Sequence, residues 1–137
     1  MKRAVAVMLL ATGVAAAESP SPIERAACLR LLEDSTAETA KAVLRFEATV
    51  RHRDGDTSAA RDVLVAASAA RDGLEAAAVS AVCEPSRREE LIYLNHLTLG
   101  FAGWIAARSR RPPAEYDLAS IVRRARVHQA RGRARLG

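Results

Sequence analysis

The midpoint of Cys28 and Cys83 falls within Asp54-Gly55-Asp56, and this near-symmetry restricts the fold more than any other feature of the chain. An Asp-Gly-Asp run favours a tight turn, because Gly tolerates a left-handed backbone and Asp side chains bond the backbone nearby. In two helices running antiparallel from such a turn, equidistant residues lie at one height. The two thiols are therefore expected to meet across the first and second helices as a structural disulfide. Closing a loop of this length stabilises a fold by about 4 kcal/mol in the chain-entropy view. A zinc site or a redox pair fits less well, since two distant cysteines with no His nearby have the spacing of neither.

A disulfide needs an oxidising compartment, and the N-terminus offers a route to one. Met1-Lys2-Arg3 is a basic start, Ala4 to Val14 an apolar run, and Ala15-Ala16-Ala17 a small-residue cleavage site. Those are the parts of a secretory signal peptide, with an apolar segment too short to span a bilayer. Residues 1–17 are thus read as a cleaved signal peptide, and the protein as periplasmic or secreted. Cleavage near Ala17 leaves 120 residues, enough for one domain with a core, and removes both methionines, Met1 and Met8.

The remainder is punctuated as four helices. Ser21-Pro22-Ile23-Glu24 reads as a capping box, and Arg51-His52-Arg53 suits the C-terminus of the helix it starts. Leu29, Leu32, Thr36, Ala40, Val43 and Val50 form its apolar stripe, with Thr36 the weak point. A second helix is expected from Asp56 or Thr57 to about Cys83. Ser86-Arg87-Arg88-Glu89 offers a second capping box for a third helix, about Arg87 to Arg110. Its residues Leu91, Ile92, Leu94, Leu97, Leu99, Phe101, Trp104 and Ile105 make it apolar almost all round, as suits the buried member of a bundle. Arg111-Pro112-Pro113 ends that helix. Glu115 and Asp117 suit the first turn of a fourth, with Leu118, Ile121, Val122 and Ala125 inward. No alternating run or hairpin signal suggests a strand. The predicted fold is all-α: an up-down-up-down four-helix bundle over residues 18–130, stapled by one disulfide, with a basic flexible tail at 131–137.

Function is less legible. Phosphate-loop, nucleophile-elbow and His-Glu-x-x-His signatures are absent, so the chain reads as a binding or interaction protein rather than an enzyme, and it calls for no cofactor. Partner contact falls to Tyr93 and Trp104, with a protein partner or self-association expected and no integral membrane segment. An alternative uses His96 and His128, which stand equidistant from Pro112 and could share a metal ion or a haem. A second alternative rests on charge. The segment 18–84 holds 12 acidic and 8 basic residues, whereas 85–137 holds 4 and 11. Arg123, Arg124, Arg126, Arg131, Arg133 and Arg135 follow the last acid and could meet an anionic lipid surface or another anionic partner. Nucleic acid is disfavoured by export and by the lack of aromatics there.

Overall fold

The computed structural model describes residues 21–52 and 54–137; the signal peptide read at 1–17 lies outside them. Among the described residues there are four α-helices and no strand: α1 Pro22–His52, α2 Thr57–Ala76, α3 Glu84–Arg108 and α4 Leu118–Ala134. No helix among them is long and apolar enough to cross a membrane. Each helix packs on the next in sequence, α1 on α2, α2 on α3 and α3 on α4.

The α1 capping box forms as expected. Ser21 Oγ accepts from the Glu24 amide at 3.1 Å, and Glu24 Oε1 accepts from the Ser21 amide at 3.4 Å. The buried face of α1 is Cys28, Leu32, Thr36, Thr39, Val43 and Phe46, stepping by three or four residues. Ala40 and Val50, expected in that stripe, are exposed. Their places are taken by Thr39 and Phe46, which a count of apolar letters alone does not select. Thr36 is buried because its hydroxyl has a partner, donating to the Leu32 carbonyl at 2.8 Å.

Three expected boundaries shift. The second helix does not reach Cys83; it ends at Ala76, and Ala77 is extended. The Arg87 guanidinium, reaching back from α3, donates to the Leu74 and Glu75 carbonyls at 3.0 and 3.2 Å, partners that the helix end would otherwise lack. Ser86-Glu89 does not form a capping box. The third helix begins earlier, with Pro85 inside its first turn, and buried Ser86 donates instead to the Gly132 carbonyl at 2.7 Å. Lastly, the residues read as a flexible tail continue α4 to Ala134, with Gly132 and Leu136 buried.

Cys28 and Cys83 are joined as a disulfide, with Cα atoms 5.6 Å apart, inside the usual span for such bridges. At the other end of the core, Phe46 meets Phe101 and Trp104 edge-on, at centroid distances of 4.9 and 5.1 Å. Gly55, in the α1–α2 turn, has φ +96, and a Cβ there would come within 2.9 Å of Trp104 Cζ2. Arg108 lies 4.8 Å from the Trp104 ring and donates to the Asp54 carbonyl at 2.8 Å, fastening the turn over the indole.

Candidate functional site

Two places concentrate chemistry, one between α3 and α4 and one where these two helices meet α1. At the first, His96 and His128 face each other with ring centroids 5.3 Å apart and planes inclined by 35°. Each ring has Nδ1 engaged. His96 Nδ1 is 2.8 Å from the Ile92 carbonyl, which only accepts, so that nitrogen carries the hydrogen. His128 Nδ1 lies 2.8 Å from Glu89 Oε2, on a carboxylate that is largely buried. Both rings thus present Nε2 away from their protein partners.

Glycines set the helix spacing around this pair. His96 precedes Gly100 by one turn on α3, and His128 precedes Gly132 by one turn on α4. A Cβ at Gly100 would meet Ile121 at 2.7 Å, and one at Gly132 would meet Glu89 at 2.8 Å and the Ser86 carbonyl at 3.1 Å. The helices therefore press together on both sides of the imidazoles. The twin His-x-x-x-Gly spacing is visible in the sequence, but its meaning depends on which residues the opposite helix presents. The separation disfavours haem: two imidazoles trans on one iron, with metal–nitrogen bonds of about 2 Å, need centroids roughly 6.4 Å apart.

The second place is a cleft of about 560 Å³ where α1, α3 and α4 meet near the α1–α2 turn. Its floor is apolar, formed by Val43, Phe46, Phe101, Trp104, Leu118 and Val122. Around the rim stand Val50, Arg51, Asp54, Asp117 and Arg123, with the Glu47–Arg126 ion pair at 3.1 Å joining α1 to α4. The rim carries both signs of charge in equal number. Asp117 also caps α4, accepting from the Ser120 amide and hydroxyl, and these hydrogen bonds hold its carboxyl below the usual carboxylate range. Trp104 is 8% exposed, and it also lines a depression on its other side with Arg108, Pro113 and Tyr116.

Tyr93, expected beside Trp104 as a contact residue, is 4% exposed and does not line the cleft. Burial pushes its phenol up from the ordinary value, and the nearby Glu90 carboxylate adds to the effect. Glu90, unnoticed in the sequence, is fully buried. It accepts from Gln129 at 2.8 Å and from Arg133 at 3.1 Å, and Arg133 also reaches Thr36 of α1 at 3.0 Å. Desolvation raises the Glu90 carboxyl above the ordinary range, opposed by its bonds to Gln129 and Arg133. No local pattern marks Glu90; it reads as one more charge in Arg88-Glu89-Glu90.

The six C-terminal arginines do not form one free surface. Arg126 is paired with Glu47 and Arg133 with buried Glu90, Arg131 lies 4.0 Å from Glu89, and Arg123 donates to Ser120. Among the described residues no group of three or more His, Cys, Asp or Glu side chains is placed to hold a metal ion. No family model, curated protein or solved structure matches the chain.

Proposed function

We propose that this is an exported, non-catalytic binding protein, an up-down-up-down bundle that receives apolar side chains of a protein partner in the α1/α3/α4 cleft. One observation carries the reading. An aromatic-floored cleft of about 560 Å³ with an edge of Trp104 accessible is ringed by charges of both signs. Protein interfaces are built this way, with a buried aromatic anchor inside a polar rim, and Trp and Arg are frequent at their energetic centres. The balanced rim favours a protein over an anionic lipid surface, since Glu47, Asp54 and Asp117 stand among Arg51, Arg123 and Arg126.

The topology draws support from the contacts between helices. Gly100 lies against Ile121 while Ser86 lies against Gly132, so the contacts run in opposite order along α3 and α4. Export is supported by the disulfide and by the tripartite pattern of residues 1–17. The non-catalytic reading is supported by the occupation of the buried carboxylate: Glu90 is held by Gln129 and Arg133 rather than turned to the cleft.

A photo-cross-linking residue at Val50, on the cleft rim, should give a defined protein adduct in the exported fraction. The same residue at Val65, exposed on α2, should not. Val50→Glu should abolish partner retention without changing the thermal melt. Equal adducts from both positions, or retention unaffected by Val50→Glu, would overturn the cleft reading.

A further inference from the structure

We propose that His96 and His128 bind a zinc-type divalent cation through their two Nε2 atoms, with Glu89 and the Ile92 carbonyl positioning the rings. Three observations converge on this pair, and none involves the cleft.

The first is distance. Two imidazoles bonded to one tetrahedral ion at about 2.0–2.1 Å have centroids roughly 5 Å apart. A linear two-coordinate ion needs roughly 6.4 Å, and adjacent positions of a square-planar ion roughly 4.5 Å. The observed 5.3 Å falls at the tetrahedral value.

The second is the state of the other nitrogens. Metal-ligating histidines characteristically donate their second ring N–H to a carboxylate or a backbone carbonyl, which sets the tautomer and raises the basicity of the ligating nitrogen. This pair shows one of each: His96 to the Ile92 carbonyl and His128 to Glu89, both at 2.8 Å. A neutral ring with its hydrogen on Nδ1 presents a lone pair at Nε2. Glu89 is itself held in place, its side chain 15% exposed, its Cβ beside Gly132 and Arg131 4.0 Å from its second oxygen.

The third is the frame. Gly100 and Gly132 each allow the opposite helix to press in, one turn from each imidazole. The rings thus stand between two close helix contacts, which fix the separation of the backbones that carry them. With two protein ligands, the remaining positions of a tetrahedral ion are left to water or an added ligand. The site is accordingly an open one rather than a closed structural zinc centre.

The test is zinc titration of the untagged full chain by calorimetry, with cobalt(II) as the optical probe. One zinc per chain should bind, and His96→Ala and His128→Ala should each weaken binding by at least ten-fold. Glu89→Gln keeps the side-chain shape but loses the carboxylate. It should weaken binding by about ten-fold while the cobalt spectrum stays tetrahedral, as expected of a residue that positions a ligand without being one. If the alanine variants fail to fold, nuclear magnetic resonance of the unmodified protein decides the matter. Zinc should shift the ring signals of His96 and His128 and leave His52, exposed on α1, unchanged. Binding that is unchanged in His96→Ala and in His128→Ala, or shifts confined to His52, would overturn the proposal.

Discussion

At the scale of single residues, the turn around Gly55 shows how one position joins two demands. Its φ of +96 lies where side chains are strained, and the space a Cβ would fill is held by Trp104. Gly55→Ala should therefore destabilise the fold by about 1–3 kcal/mol, read as a lower urea midpoint in Trp104 fluorescence. Trp104 is the only tryptophan in the chain, so the reading is unambiguous. An unchanged midpoint would show that the turn relaxes without cost. The need for glycine was legible in Asp54-Gly55-Asp56, because turn preference is a property of the local backbone. That an indole packs beneath it was not, since Trp104 lies far away in sequence and is brought there by α3.

At the scale of elements, long side chains of α4 reach two helices: Arg126 pairs with Glu47 of α1, and Arg133 bonds both Thr36 of α1 and Glu90 of α3. The charged chemistry of this seam makes stability depend on pH. Burial raises the Glu90 carboxyl above its ordinary value near 4.5, so the folded protein holds that proton more tightly than the unfolded chain. The Glu90 contribution to stability then falls as pH rises from about 4.5 through the raised value. Glu90→Gln removes this titration. Its stability relative to the parent should improve steadily across that window, measured as the difference in urea midpoints at successive pH values. A difference that does not vary with pH would mean that Glu90 titrates as an ordinary carboxyl. Capping at Ser21 was readable from the chain, because a cap and its partner lie within three residues; Asp117, expected inside the first turn of the last helix, instead caps it. The end of α2 was not, because the Arg87 bonds to Leu74 and Glu75 come from another helix.

At the scale of the whole molecule, the disulfide ties the N-terminal part of α1 to the start of α3 across the segment that follows α2. Reduction, or Cys28→Ser with Cys83→Ser, should lower stability by about 2–4 kcal/mol. Thermal melts with and without reductant check this, and coincident melts would exclude a stabilising role. The loss should be felt least at the aromatic end, where Phe46, Phe101 and Trp104 pack without help from the bridge. The imidazole pair lies between α3 and α4, whereas the cleft also uses α1, the helix that the bridge holds through Cys28.

The sequence alone determined the helical class, the number of helices, the cap of α1 and the cysteine pairing, because each rests on periodicity, capping or counting from a turn. Only the tertiary structure decided which polar groups are buried and with whom. Ser86 looked like a cap and became a partner of Gly132, and Arg133 looked like tail and became the counter-charge of Glu90. His96 and His128 could be placed at a similar height by counting, yet whether their rings faced each other depended on the rotation of two helices about their axes. That rotation is set by where glycines let α3 and α4 approach, a long-range packing outcome that no local pattern encodes.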